Sequence, residues 1–180
     1  TCRPYKVPRQ HEAVFQAELK RLCDINVLEP CGPSEWLSPT FIIPKKDGRV
    51  RWITDFRALN KCIKRKVYNL PKIQDILLRR PDYAFFSKLD ISMQYYTFEL
   101  DDASKDLCSI CTPFGNYRYN RLPMGINQSP DVAQAAMEDL FRQFAEVEIY
   151  LDDIGVFNIS WEEHIVSLTK VLAVLERHNF

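Results

Sequence analysis

The sequence predicts an α+β fold in which antiparallel β-hairpins carry helices on one face. Two short apolar runs around a pair of carboxylates, within Glu148–Phe157, predict a strand, a tight turn and a second strand. An apolar stripe at helical spacing precedes this hairpin and predicts a helix that begins near Ser129. Apolar residues make up 46% of the 180 residues and only 5 are Gly, which favours a well-buried core in one domain or two tightly joined subdomains.

The predicted turn of this hairpin contains the adjacent carboxylates Asp152 and Asp153. A second apolar strand, Phe85–Ile91, carries Asp90 near its end. If this strand lies beside the hairpin, three carboxylates meet at one end of a sheet and could hold two metal ions for in-line displacement at phosphorus. The alternative is a solvent-exposed Asp-Asp turn without a metal, which the apolar residues directly before the turn disfavour.

The first half of the chain predicts a helix from Gln10, with apolar residues at i, i+4, i+7 and i+8. Ser38–Pro44 then predicts a strand, Lys46–Arg49 a turn, and Arg49–Ile53 a returning strand of alternating polarity. The outward face of this second hairpin is cationic and could meet a triphosphate through Lys45, Arg49 and Arg51.

The second half predicts a strand over Leu107–Thr112, a turn over Pro113–Asn116 and a returning strand over Tyr117–Leu122. Ser129 and Pro130 suit the N-cap and the first position of the next helix. The apolar stripe of that helix is predicted to be core and consists of Val132, Ala133, Ala136, Met137, Leu140, Phe141 and Phe144. A capping box at Ser160–Glu163 predicts a final amphipathic helix.

Charge is unevenly distributed although the formal net charge is zero. Residues 45–72 contain ten Lys or Arg and two acids, a local charge of +8, so the remainder carries −8. A basic segment together with an acidic cluster suits a polyanionic substrate held partly through metal, and the alternative is a solvated surface. Of six cysteines only Cys108 and Cys111 have C-x-x-C spacing, which disfavours zinc and favours small core residues.

These motifs together resemble the reverse transcriptases, and most of all the gypsy-like retrotransposon branch. The resemblance spans nearly all of residues 4–180. It rests on Tyr150–Asp153 with Leu89-Asp90 upstream, on Thr54–Lys61, which looks like a D-F-R-x-L-N block, on Leu70–Ile73, and on an L-P-x-G pattern followed by S-P. The last pattern is matched by Leu122, Pro123, Gly125, Ser129 and Pro130.

The resemblance implies the palm of a right-hand polymerase, an antiparallel sheet backed by helices, with a fingers subdomain. Residues 1–180 are then one reverse transcriptase domain fragment. About 1–84 and 114–126 are expected to be fingers-like, and about 85–113 and 127–180 palm-like. The thumb and any ribonuclease H domain are expected beyond Phe180, in a longer polyprotein.

The resemblance also implies site residues. Asp90, Asp152 and Asp153 are the expected catalytic and metal-binding acids. The expected nucleotide-binding residues are Lys45, Arg51, Ile91, Tyr95, Met124 and Gly125. Tyr95, five residues after the first acid, is expected to lie under the sugar and exclude a 2′-hydroxyl, whereas Tyr96 is expected to be core. The expected nucleic-acid-binding residues are Arg57, Asn60, Pro71, Pro130 and Tyr150. Met124 replaces the Gln of retroviral enzymes, so only packing is expected there.

The function implied by the resemblance is RNA-directed DNA polymerisation, a nucleotidyl transfer to a primer 3′-hydroxyl with two Mg²⁺ ions, or Mn²⁺ in their place. The expected partners are an RNA or DNA template with primer, deoxynucleoside triphosphates and the rest of a polyprotein that includes integrase, with no membrane. The expected location is intracellular, in a cytoplasmic particle or the nucleus, because no signal peptide is visible. Two alternatives remain: a non-catalytic nucleic-acid-binding remnant of a retroelement, and an RNA-dependent RNA polymerase, which Leu151 and Tyr95 disfavour.

Overall fold

The computed structural model describes residues 3–45, 50–80 and 82–180. It divides the chain into two compact units, the first formed by Thr1–Arg65 and Phe98–Ser129 and the second by Lys66–Thr97 and Pro130–Phe180. In chain order the elements are α1 (Arg9–Asp24), β1 (Leu28–Pro30), β2 (Ser38–Pro44), β3 (Val50–Thr54), α2 (Arg57–Asn60), α3 (Ile73–Leu78), β4 (Phe85–Asp90), a 3₁₀ turn (Gln94–Thr97), α4 (Asp102–Leu107), β5 (Ser109–Thr112), β6 (Gly115–Tyr119), α5 (Ser129–Phe141), β7 (Val147–Tyr150), β8 (Asp153–Asn158) and α6 (Trp161–Arg177). The prediction of a mixed α+β fold is confirmed.

The first unit contains a five-stranded sheet in the order β1-β6-β5-β2-β3. Its hairpins are antiparallel, but β2 and β5 pair in parallel, with Ser38 opposite Ile110 and Pro39 opposite Cys111. Helix α1 buries Phe15, Leu19 and Leu22, as its apolar spacing predicts. The Phe15 ring lies 4.9 Å from that of Trp52 on β3, measured between ring centroids.

A buried polar network fixes the β2–β3 hairpin within this sheet. The Tyr119 hydroxyl accepts a hydrogen bond from Trp52 Nε1 at 3.0 Å and lies 2.9 Å from Thr54 Oγ1. Thr54 Oγ1 is in turn 3.1 Å from Thr40 Oγ1 on β2. Buried polar groups that are all paired stabilise one arrangement of strands. The network therefore fixes β3, which carries Arg51, against β2, which ends directly before Lys45.

The second unit contains a three-stranded antiparallel sheet in the order β4-β8-β7. Its core is formed by one face of the sheet together with α5 and α6, and includes Ile91, Met137, Phe141, Val147, Ile149, Ile154, Val156 and Val171. The predicted strand, turn and strand around the paired acids are confirmed: β7 and β8 pair from Val147 opposite Val156 to Tyr150 opposite Asp153. Ser160 caps α6, its Oγ accepting from the Glu163 N–H at 3.3 Å.

Several local predictions are wrong. Residues 102–107 form the short helix α4, so the predicted strand over Leu107–Thr112 begins only at Ser109. Asp101 causes this difference, because its carboxylate accepts a hydrogen bond from the Ser104 N–H at 2.9 Å and caps the helix. In the predicted apolar stripe, Val132 is 42% exposed. Phe144 lies after the end of α5 at Phe141 but packs against the core of the second unit, as predicted.

The predicted subdomain ranges differ from the compact units of the structure. Strand β5 pairs with β2 and β6 of the first unit, which places residues 98–113 there rather than with the three-stranded sheet. The fingers-like and palm-like ranges stay predictions.

The two cysteines with C-x-x-C spacing and the membrane-spanning potential of the helices can also be compared with the predictions. Cys108, directly before β5, and Cys111, within β5, are buried, in agreement with small core residues. Burial, with a smaller effect of the Asp101 charge, raises the pKa of the Cys108 thiol to about 12. Within the described ranges, no helix combines the length and the apolar character needed to span a membrane.

Candidate active site

The three predicted acids lie together at one end of the three-stranded sheet. Asp90, the last residue of β4, stands directly opposite Asp153, the first residue of β8. Asp152 occupies the turn before β8, and its carbonyl oxygen accepts a hydrogen bond from the Ile91 N–H at 2.9 Å. Strand pairing and one backbone hydrogen bond thus bring the ends of two strands and a turn to the same place. Asp90 and Asp152 are exposed, and the Asp153 side chain is 32% exposed.

A lysine neutralises part of this charge. Lys88 Nζ lies 2.8 Å from Asp153 Oδ2. The hydrogen bond to Asp153 is the main cause of a raised Lys88 pKa, and the negative charges of Asp153, Asp90 and Asp152 add to it. The Lys88 ammonium group therefore interacts electrostatically with Asp90, Asp152 and Asp153.

Carboxylate oxygens at this end of the sheet are the donors that Mg²⁺ prefers. Across residues 3–45, 50–80 and 82–180, however, no group of three acidic, His or Cys side chains has an arrangement that could hold a metal ion. The chemistry of the residues fits a divalent ion, and Asp153 is the acid whose carboxylate already has a cationic partner.

Two buried glutamines hold the backbone of the turn between β7 and β8. Gln134 on α5 is fully buried, and its Oε1 accepts from the Leu151 N–H at 2.7 Å while its Nε2 donates to Ile149 O at 2.9 Å. Gln94 is 1% exposed, and its Nε2 donates to Leu151 O at 3.2 Å. Leu151, the residue before Asp152, therefore has a side-chain hydrogen bond to its N–H and another to its C=O.

Leu151 has a φ of 55°, in the left-handed region that β- and γ-branched residues rarely occupy. Side-chain hydrogen bonds to both of its backbone polar groups offset that cost. The Gln134 amide also donates to Glu138 Oε1 at 2.7 Å, and Glu138 accepts a hydrogen bond from the Tyr68 hydroxyl. The turn is thus connected to α5 and to the segment before α3.

Tyr95 lies in the 3₁₀ turn and is half-buried. Burial, followed by the negative charge of Asp152, raises the pKa of its hydroxyl. The side chain therefore lies near the acid site within the second unit. The prediction that Tyr96 is core is wrong: Tyr96 is half-buried, and Gln94 is the buried residue of this turn, because a 3₁₀ turn sends successive side chains in different directions.

The first unit carries the predicted cations of the second hairpin. Arg51 on β3 is opposite Ile43 and is exposed, between the less exposed Val50 and the buried Trp52. Lys45, directly after β2, is also exposed. The predicted turn Lys46–Arg49, and with it the contribution of Arg49 to the cationic face, lies outside the described residues.

The predicted nucleic-acid-binding pair Arg57 and Asn60 already has intramolecular partners. The Arg57 guanidinium binds both oxygens of Asp55, at 2.8 and 2.6 Å, and this contact holds the pKa of the Asp55 carboxyl well below its usual range. The Arg57 side chain is still 83% exposed. Asn60 uses its whole amide: Nδ2 donates to Gly125 O at 2.8 Å, and Oδ1 accepts from the Asn127 N–H at 2.9 Å. Asn60 therefore braces the loop after Leu122.

Gly125 needs its lack of a side chain. Its φ is 96°, and a Cβ there would lie 3.4 Å from Thr54 O. Met124 beside it is 42% exposed. Ile91, predicted to bind nucleotide, has its side chain in the hydrophobic core, and its backbone N–H donates to Asp152 O. Three other predicted contacts are half-buried in the second unit: Pro71, Pro130 and Tyr150.

Sequence reasoning missed Lys88, Gln94 and Gln134. Gln134 interrupts an apolar stripe, and a polar residue on the buried face of a helix is the signal that could have found it. Lys88 alternates with Asp90 along β4, which puts both on one face of the sheet. Gln94 gives no comparable signal, because its burial depends on the 3₁₀ turn.

Comparison with known proteins identifies the family of this chain. A family model described as reverse transcriptase (RNA-dependent DNA polymerase) matches residues 43–180. The enzymatic polyprotein of Cauliflower mosaic virus (strain Strasbourg) is 29% identical over 181 residues, which cover 98% of this chain and 26% of that polyprotein. The retrovirus-related Pol polyprotein from transposon 412 of Drosophila melanogaster is 30% identical over 183 residues, or 97% of this chain and 15% of that polyprotein.

Solved structures show the same fold. The chain superimposes on the prototype foamy virus protease-reverse transcriptase with a TM-score of 0.89 and 26% identity, over 98% of this chain and 24% of the other. A foamy viral protease-reverse transcriptase in complex with an RNA/DNA hybrid gives a TM-score of 0.87 at 24% identity, over 97% of this chain and 23% of the other.

The chain thus spans about a quarter or less of the length of these relatives. They include a plant virus and a transposon, and the gypsy-like branch stays a prediction. The predicted family and fold are confirmed. The chain belongs to the reverse transcriptase (RNA-dependent DNA polymerase) family.

Proposed function

We propose that this chain is the catalytic core of an RNA-directed DNA polymerase, which adds deoxynucleotides to a primer 3′-hydroxyl under the direction of a template. The observation that carries the proposal is the meeting of Asp90, Asp152 and Asp153 at one end of the three-stranded sheet. Membership of the reverse transcriptase family supports it. The proposal is also supported by the similar fold of a foamy viral protease-reverse transcriptase, which was solved in complex with an RNA/DNA hybrid.

In this proposal Asp90 and Asp152 hold two divalent ions, Mg²⁺ or Mn²⁺, and Asp153 supports them. Two such ions, when bound, supply charge that favours ionisation of the primer hydroxyl and stabilises the pyrophosphate leaving group. The exposed carboxylates of Asp90 and Asp152 are open to both an ion and a phosphate. Gln94 and Gln134 keep the Asp152 turn in one conformation, so the acid is placed before substrate arrives.

The experiment is primer extension on RNA and DNA templates, with Mg²⁺, with Mn²⁺ and with chelator. It should be run on this chain and on a longer polyprotein product that contains it. Template-directed addition that needs a divalent ion is the expected result. Retention of primer-template without any extension in either protein, with or without metal, would instead identify a non-catalytic nucleic-acid-binding remnant.

We further propose that Arg51 binds the triphosphate of the incoming nucleotide, with Lys45 as a second cation. Arg51→Ala is expected to lower kcat/KM for every deoxynucleotide by about 10- to 150-fold, because hydrogen bonds between charged groups contribute about 1.5–3 kcal/mol. Steady-state primer extension measures this. Lys20→Ala, which removes a 75% exposed cation from α1, is the control and should leave kcat/KM unchanged. An Arg51→Ala protein equal to this control would make Arg51 an ordinary surface cation.

Tyr95 is proposed to select deoxynucleotides over ribonucleotides through steric exclusion of the 2′-hydroxyl. Tyr95→Val is expected to raise relative ribonucleotide incorporation by about 5- to 150-fold, since overpacking in a rigid site costs about 1–3 kcal/mol. Competition between the two nucleotide types in primer extension measures the ratio. Tyr96→Val is the control, because the neighbouring ring of a 3₁₀ turn points elsewhere. If Tyr96→Val relaxes the choice and Tyr95→Val does not, the neighbouring ring is the selector.

A further inference from the structure

One face of the three-stranded sheet has three cross-strand rows. Asp90 is opposite Asp153, Lys88 is opposite Gly155, and Phe86 is opposite Phe157. Like charges directly opposite each other on antiparallel strands destabilise a sheet. The row of two acids is therefore unfavourable unless a cation lies nearby. Within this face, the next row supplies one, the ammonium group of Lys88.

The glycine opposite Lys88 leaves its row without a second side chain. A Cβ at Gly155 would lie 2.8 Å from Phe157 Cε2 and 3.3 Å from Phe86 Cε2, which is too close without movement of these rings. Lys88 therefore has no cross-strand side chain beside it. Its stem crosses diagonally toward β8 and brings Nζ to 2.8 Å from Asp153 Oδ2.

The ion pair makes Asp153 different from the other two acids. Asp90 and Asp152 are exposed, whereas the Asp153 carboxylate accepts a hydrogen bond from the Lys88 ammonium group. The described residues contain no three-member acidic, His or Cys group arranged for a metal ion. An ammonium group bound to one carboxylate and a divalent ion bound to the same carboxylate would compete, because both need its negative charge.

We infer that Lys88 is a built-in counter-cation of the acid site, which neutralises Asp153 when no divalent ion is bound and opposes the binding of that ion. The inference rests on the proposed function in one respect, that the acids bind divalent ions. Asp90 and Asp152 are then the carboxylates available to the first ion, and Asp153 contributes only after Lys88 has moved away. Lys88 is a positioning residue that acts through Asp153.

The test compares wild type with Lys88→Met, which keeps the length of the stem and removes the charge. Thermal unfolding is followed by circular dichroism in chelator and across a MgCl₂ titration at constant ionic strength. In chelator Lys88→Met should unfold at a lower temperature, because two acids are left opposite each other. Its apparent Mg²⁺ affinity should be about two- to fivefold tighter than that of wild type, the range expected for the loss of an exposed ion pair.

Two further variants separate the effect of a cation at position 88 from the effect of the protein's net charge. Lys88→Arg retains a cation at the same place and should keep the wild-type Mg²⁺ response. Lys105→Met removes a cation that pairs with Asp102 in the first unit, and it should also keep the wild-type response, although its net charge equals that of Lys88→Met. A change shared by Lys105→Met and Lys88→Met would show a general charge effect and overturn the inference.

The outcomes distinguish this inference from the proposed function. If Mg²⁺ stabilises wild type and Lys88→Met equally, the acids bind the ion and Lys88 has no part in it, which overturns the inference alone. If Mg²⁺ stabilises neither protein, and Asp152→Asn behaves as they do, the acids do not bind the ion. That result would count against the proposed function and the inference together.

Discussion

Asp152→Asn is expected to abolish template-directed nucleotide addition, with a loss of about a thousandfold or more. The substitution keeps the shape of the side chain and removes one negative charge from the site proposed to hold divalent ions. Such ions contribute several kcal/mol of charge stabilisation in the transition state, and each 1.36 kcal/mol is about a factor of ten in rate. Primer extension with Mg²⁺ measures the loss. Asp90→Asn should have an effect of the same size.

The fold should survive these substitutions. Asp152 is exposed and its backbone, not its carboxylate, receives the hydrogen bond from Ile91. Thermal unfolding in chelator should therefore match that of wild type. Asp139→Asn, which removes a 69% exposed acid from α5, is the control and should retain full activity. Near-normal extension by Asp152→Asn would refute the proposed mechanism, since a spectator carboxylate can be lost without effect.

Asp153→Asn is expected to be severe but less so than the other two, because Lys88 already offsets the charge of Asp153 in the absence of metal. Its loss also removes the partner of that lysine. The order of effects among the three acids therefore depends on the ion pair between Lys88 and Asp153.

The acid site could be predicted from sequence because each of its strands carries local information. Short apolar runs predict β7, β8 and β4, and the acids lie at the ends of these runs. The register Asp90 opposite Asp153 follows once these strands are neighbours, since a shift by one residue would turn Ile154 and Val156 to the wrong face.

Other parts of the fold depend on non-local contacts. The parallel pairing of β2 with β5 joins Ser38 to Ile110 across 72 positions, and no periodicity in either strand specifies it. The edge strand β1 has only three residues, Leu28–Pro30, too few for a pattern. Helix α4 does have a local signal, the Asp101 cap. The apolar residues of 107–112 favour a strand, and the prediction follows them instead of the cap.

The supporting residues of the site were the hardest to predict. Gln94 and Gln134 are far apart in the sequence, yet both bind the Leu151 backbone. Glutamine has no strong preference for such a role, so its identity alone is uninformative. Only the structure shows that the unusual φ of Leu151 needs partners for its N–H and its C=O.

Gln134→Met is expected to reduce both stability and turnover. Methionine fills nearly the same volume but can neither accept from the Leu151 N–H nor donate to Ile149 O. Each buried backbone group left without a partner costs about 1–3 kcal/mol, so the free energy of unfolding should fall by about 2–6 kcal/mol. Denaturant unfolding measures this change, and Gln143→Met, at an exposed position after α5, should be neutral.

The effect on turnover distinguishes a positioning role from a merely structural one. A displacement of about 1 Å at a catalytic group costs about a hundredfold in rate, so kcat should fall while KM for primer-template changes little. Gln94→Met should act on the same peptide, because Gln94 binds Leu151 O. Residues that share one partner are expected to couple by about 0.5–3 kcal/mol in a double-mutant cycle. Additive losses in stability, or an unchanged kcat in folded Gln134→Met, would show that the two glutamines stabilise the unit without positioning Asp152.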